Sequence, residues 1–166
     1  MSGPASANDP AALRAVLAEN LAELTALLDG VSGADLDVRL GDGEWSVREI
    51  VLHLLHAERW LLPQLTELRR AVAPGLPLPP PDVVALPTLE ERPEENELRW
   101  AVRAVRAETE ALLDGMTARQ LREPANLSVD GETVDLSFRT MLLTAADHQL
   151  FHVRQIERTL GRAAPR

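Results

Sequence analysis

Between Ala71 and Arg92 the chain reads Ala-Val-Ala-Pro-Gly-Leu-Pro-Leu-Pro-Pro-Pro-Asp-Val-Val-Ala-Leu-Pro-Thr-Leu-Glu-Glu-Arg, and no regular helix or strand survives that density of proline. Each proline removes a backbone N–H and fixes φ, so polyproline II is the favoured local form, advancing about 3.1 Å per residue. Roughly twenty such residues reach farther than a helix of about 24 residues is long, because a helix advances only about 1.5 Å per residue. The stretch can therefore return along a whole helix and start the next one parallel to the last. A short loop would force antiparallel neighbours instead. A linker between two domains is the alternative reading, but neither flank alone looks like a complete core, so the stretch is expected to be a crossover within one domain spanning 1–166.

On each flank the apolar residues recur at three- and four-residue steps. The first helix is expected over about 9–30. Asp9 is its N-cap, Pro10 lies in its first turn, the stripe runs from Leu13 through Leu17, Leu21 and Leu24 to Leu28, and Gly30 follows. Residues 31–45 are rich in Gly and Asp and read as loop with room for one short helical turn. Ser46 and Glu49 then form a capping-box signature with Trp45 just before it, opening a helix over about 46–70 that contains Pro63. Past the prolines, Pro93 with Glu94 and Glu95 opens a third helix over about 93–115. An irregular stretch containing the turn signal Asp130-Gly131 could close a small hairpin. A fourth helix is expected over about 136–161, ending at Gly161 with a frayed tail. Together these give an all-α fold, a four-helix bundle with one long Pro-rich crossover between the second and third helices.

Composition removes several functional classes. The chain has no Cys, so it cannot build a disulfide, a thiol nucleophile, a zinc–thiolate site or an iron–sulfur cluster. It has no Lys either, which excludes a Schiff-base lysine. The formal net charge is −9, and the arginines form no run longer than Arg69-Arg70. Nucleic acid is therefore not an expected partner. No apolar run is long enough to span a membrane, and the first ten residues lack the pattern of a signal peptide, so a cytoplasmic location is expected.

The chemistry concentrates in the four histidines. His148 and His152 are spaced i,i+4 in the fourth helix, one turn apart on the face that also carries Met141, Ala145, Gln155 and Ile156. His53 and His56 lie in the second helix. An inward i,i+4 pair plus a third imidazole from a facing helix could bind a divalent metal with coordination positions open. Taken alone, the spacing equally suits buried histidines satisfied by ordinary hydrogen bonds. Burying several imidazoles without partners costs free energy, and a shared cation is one solution.

Trp45-Ser46-Val47-Arg48-Glu49-Ile50-x-x-His53-Leu54 followed by Glu58, and His148-Gln-Leu-Phe-His152-Val-Arg-Gln155-Ile156, resemble the second- and fourth-helix signatures of the DinB/YfiT-like superfamily. The resemblance extends over essentially the whole chain. It implies an up-down-down-up four-helix bundle, often a homodimer, with one divalent metal held by three histidines. By position those ligands are His53, His148 and His152. Phe151 and Gln149 stand where the fourth-helix motif often has His or Tyr and Asp or Glu, neither being a ligand position. Three neutral imidazoles suit zinc or nickel. Gln155, one turn beyond His152, could orient a ligand or a metal-bound water. His56 is expected at the rim or behind a ligand rather than as a fourth ligand. Glu58 is expected in a salt bridge or helix contact, and Trp45 in packing.

Characterised members of that superfamily include thiol-dependent S-transferases and a maleylpyruvate isomerase that use low-molecular-weight thiols such as mycothiol or bacillithiol. The resemblance thus implies a metal-dependent transferase acting on a small electrophilic molecule. A metal-dependent hydrolase and a non-catalytic protein that binds metal or a small ligand are the alternatives. The hydrolase would want a nearby general base, and none stands out on the histidine faces.

Overall fold

Helix α1 (Pro10–Asp29) begins where the Asp9 side chain accepts the N–H of Ala11, in a computed structural model that describes residues 9–80, 84–129 and 131–161. A single 3-10 turn, Asp35–Asp37, interrupts the following loop. Helix α2 (Val47–Val72) opens on a complete capping box: the Ser46 hydroxyl accepts the N–H of Glu49, and the Glu49 carboxylate accepts the N–H of Ser46. Two donors that a helix start leaves orphaned are thereby satisfied. Pro63 occupies an exposed position inside α2, and the helix continues past it to Val72.

Helix α3 (Glu95–Ala111) is shorter than the periodicity of its apolar residues suggests. Leu112–Gly115 leave it as turns, and Gly115 adopts φ +72, a left-handed conformation that glycine takes without a Cβ penalty. A short helix α4 (Ala118–Arg122) follows, its Thr117 hydroxyl accepting the N–H of Gln120. Strands β1 (Pro124–Val129) and β2 (Glu132–Ser137) then pair antiparallel, with Leu127 opposite Val134. Gly131 turns the hairpin at φ +85. Helix α5 (Phe138–Thr159) starts directly from β2 with Ser137 as N-cap. The fold is therefore mostly helical but not purely so, since the stretch before α5 is a two-stranded sheet. Asp130 of the turn signal, residues 81–83 of the proline-rich stretch and the tail 162–166 lie outside the described residues.

Two apolar clusters hold the helices together. Leu13 and Leu17 of α1 meet Leu65 and Leu68 of α2 and Phe138 and Leu142 of α5 in one. Leu24 and Leu28 meet Ile50 and Val51, Leu98 and Val105 of α3, and Val153 and Ile156 in the other. Each side chain of this size contributes about 1.5–3 kcal/mol when fully buried. Both α1 and α2 pack against α3 and α5. None of the helices is long and apolar enough to cross a membrane, among the described residues.

The described residues between α2 and α3 contain no helix or strand, so their carbonyls need other donors. Side chains of α2 supply several of them. Arg69 donates to Pro77, Arg59 to Val84, His56 meets Pro87 and Arg48 donates to Pro93. As the segment advances, its partners step back along α2.

Candidate metal centre

The capping box fixes where α2 begins, and His53 lies two turns in. A tight loop precedes it, closed by the bridge between Arg39 and Ser46 and by Arg39, which donates to the carbonyl of Glu44 and pairs with the Glu49 carboxylate at 2.7 Å. That loop carries Trp45 over the imidazoles: its ring centroid lies 4.9 Å from His53 and 6.1 Å from His152. On the opposite side α5 presents His148 and His152 from successive turns.

The three imidazoles converge through their Nε2 atoms. His148 Nε2 lies 3.2 Å from His53 Nε2 and 3.1 Å from His152 Nε2. His152 is buried, and His53 and His148 are half-buried. Burial pushes the pKa of both His53 and His148 below the ordinary imidazole value, and repulsion from His152 and from other neighbouring imidazoles pushes the same way. The neutral form, whose lone pair can bind a cation, is therefore favoured.

Gln155 supports this arrangement from behind. Its Oε1 lies 2.8 Å from His152 Nδ1, so the Nδ1–H donates to it and the lone pair of His152 is left on Nε2. Phe151 stands edge-on to His152 with centroids 5.1 Å apart and remains exposed. His56 is not part of the group; it is exposed and turned toward the carbonyl of Pro87 at 3.2 Å.

Glu58 also faces away from the imidazoles, into a buried polar group that the apolar periodicity of the sequence did not reveal. Thr109 donates to Glu58 at 2.9 Å, and Arg106 Nη2 donates to it at 3.3 Å. Arg106 Nε lies 3.0 Å from Glu58 as an ion pair, but without the alignment of a hydrogen bond. Arg106 also donates to Gln149 Oε1, Gln149 donates to the carbonyl of Asn20 at 2.7 Å, and Asn20 donates to the carbonyl of Ala146 at 3.1 Å. All four long helices contribute. The one signal in the sequence is that Arg106 falls four residues after Val102, on the stripe that faces the core.

The donor set fits a divalent cation. Tetrahedral zinc–imidazole bonds of about 2.0–2.1 Å hold ligand nitrogens about 3.3 Å apart, close to the separations of His148 from His53 and from His152, and the three ligand atoms all lie within 4.8 Å of one another. Hydrogen bonds alone satisfy the cluster poorly, because His148 Nε2 faces two ring nitrogens and carries at most one proton or one lone pair. These residues could therefore hold one metal ion, with room for further ligands.

Comparison with known proteins agrees with the fold. Among curated proteins none matches. The crystal structure of a DinB-like protein, YjoA from Bacillus subtilis, superposes with a TM-score of 0.61 at 15% identity, over 93% of this chain and 95% of that one. At that identity the likeness concerns the fold. The family model described as the DinB superfamily matches residues 17–156, and the chain belongs to that superfamily.

Proposed function

We propose that the protein is a metal-dependent transferase that joins a low-molecular-weight thiol to a small electrophile at His53, His148 and His152. The observation that carries this reading is the convergence of three Nε2 atoms with adjacent separations of 3.1 and 3.2 Å. A divalent cation bound there, zinc or nickel, would supply Lewis acidity that lowers the pKa of a thiol sharing it. The three imidazoles bind; Gln155 keeps the proton of His152 on Nδ1; Trp45 packs over His53 and His152, and Phe151 stands edge-on to His152. The chain has no Cys, so a sulfur nucleophile has to arrive with a small molecule. Hydrolysis is disfavoured because Glu58, the carboxylate of the second-helix signature, is held by Arg106 and Thr109 and is not free to act as a base at the imidazoles.

The same reading takes the chain as one DinB-like domain with up-down-down-up helix order and the proline-rich segment as the long crossover. Two contacts support parallel α2 and α3: Arg48 near the start of α2 reaches Pro93 just before α3, and Arg69 near its end reaches Leu112 just after α3. A homodimer is carried over from the family resemblance alone, and a cytoplasmic location from the sequence reading above.

Metal analysis of the purified protein, followed by assay of thiol consumption with a chloronitrobenzene, tests the proposal. Turnover that needs both metal and thiol, and that His152→Ala abolishes, is the expected result. Full turnover in His152→Ala would refute the metal mechanism. Stoichiometric metal without turnover of any thiol would instead mark a non-catalytic binder.

A further inference from the structure

Beside His148 the helices leave a cavity of about 500 Å³. Helix α2 contributes Leu54, Trp60 and Leu61, α5 contributes Met141 and Ala145, and the hairpin supplies one more wall. Val134 and Leu136 are two apart on β2, so they project from one face of the strand, and that face closes the cavity. Trp60 lines it while remaining half exposed. Apart from Glu58, Thr144, His148 and Gln149 the lining is apolar.

The polar members of the lining offer little to a charged guest. Glu58 is paired with Arg106 and hydrogen-bonded to Thr109. Gln149 spends its amide on the carbonyl of Asn20 and its oxygen on Arg106. Arg106 itself does not line the cavity. A carboxylate entering here would meet no free cationic side chain and would lie near Glu58; an ammonium would find that carboxylate already neutralised. Either ion would lose part of its water without compensation. A polyhydroxylated molecule would likewise lose hydrogen bonds that this lining does not return. The volume is that of an ordinary small-molecule site, and His148 sits where the cavity meets the three imidazoles.

We propose that this cavity binds the apolar body of an uncharged substrate, an aryl or branched-alkyl group, and presents its reactive end to the metal centre past His148. This rests on the metal-dependent reading above and adds the substrate class to it. A sugar-bearing thiol would then approach from outside the cavity, and an electrophile charged on the part that enters the cavity would be a poor substrate.

Calorimetric binding of benzylacetone, of the anion phenylbutyrate and of glucose separates the possibilities, using the protein as purified and again after chelation. His53 does not line the cavity, so His53→Ala serves as a metal-site control. Benzylacetone is expected to bind the wild type, its chelated form and His53→Ala alike, and at least about tenfold more tightly than phenylbutyrate or glucose. Ala145→Phe, which fills the cavity, and Leu136→Asp, which puts a charge on its hairpin wall, should each weaken benzylacetone by about tenfold. Two independent variants guard against one failing to fold. Equal affinity for ketone and anion in the chelated protein, where no metal is present to take the carboxylate, or benzylacetone binding that neither variant changes, would overturn the proposal. Metal content of the same samples keeps the two readings apart. Benzylacetone bound by a protein that takes up no metal would refute the metal centre and support the cavity; metal without benzylacetone binding would do the reverse.

Discussion

Gln155 Oε1 accepts a hydrogen bond from His152 Nδ1 at 2.8 Å, and through that contact a residue that is not part of the imidazole cluster sets which nitrogen His152 turns toward His53 and His148. The neutral ring has one proton, and Gln155 holds it on the far side. Replacing Gln155 by Ala frees the ring to rotate or change tautomer, and partners of this kind are worth about 10–100-fold in metal affinity. Competition with a chromophoric chelator should show a loss of that size, with the melting temperature of the metal-free protein little changed. Gln155→Glu retains an acceptor and should recover most of the affinity. Unchanged affinity in Gln155→Ala would mean that the contact does not orient a ligand.

Metal binding should also register as stability, because the unfolded chain does not assemble the three imidazoles. With free metal at about 100 times Kd the gain is about 2.7 kcal/mol. In a chain of this length each kcal/mol moves the melting temperature by about 2–4 °C, so the expected rise is about 5–11 °C. A chelator should reverse it, and His152→Ala should show none. An equal rise in that variant would locate the ion elsewhere.

Much of this was legible before any fold was known, for a reason that is local. An i,i+4 spacing fixes His148 and His152 on one face of a helix wherever that helix goes, and Ser46 with Glu49 announces the start of α2 from four residues. The approach of His53 to His148 is another matter, since it depends on how α2 packs against α5. The resemblance suggested it, and spacing alone left it open. Helix α4 did carry a readable signal in Thr117 and Gln120, but five residues give no periodicity to reinforce it. The hairpin was visible only as the turn signal Asp130-Gly131, because neither strand alternates strongly between apolar and polar. The polar group around Arg106 was legible only in the place of Arg106 on the core-facing stripe and in a salt bridge or helix contact expected of Glu58: Asn20, Glu58, Arg106 and Gln149 lie on four different helices, and only packing makes them neighbours.

That polar group makes its own prediction. Arg106 is 4% exposed and Glu58 is the carboxylate beside it. Glu58→Gln preserves shape and an acceptor but leaves the guanidinium without a counter-charge. Removing one member of a buried pair costs about 3–5 kcal/mol, and the partial exposure of Glu58 places the expected loss near the lower end. Replacing both, as Glu58→Gln with Arg106→Met, removes the stranded charge and should recover part of the loss. Urea unfolding of the two variants measures this directly. A double variant less stable than Glu58→Gln would show that the arginine contributes more by packing than its charge costs when unpaired.

The start of α2 should respond to acid. The N–H of Ser46 donates to the Glu49 carboxylate, and the Arg39 guanidinium lies beside it, so the group is held below its ordinary value of 4.5 despite some desolvation. A carboxyl with a depressed pKa in the folded state stabilises that state above its unfolded value, and the contribution disappears as pH falls through the folded value. The window therefore opens near 4.5 and extends downward. Glu49→Gln keeps a side-chain acceptor for Ser46 but loses the charge. Because Arg39 is half exposed and screened, the charge contributes only about 0.5 kcal/mol, or about 1–2 °C in melting temperature. Wild type should melt above the variant by that margin at neutral pH, and the two curves should converge as the pH is lowered toward 3. A margin that stayed constant across the titration would show that the effect is not carried by the charge of Glu49.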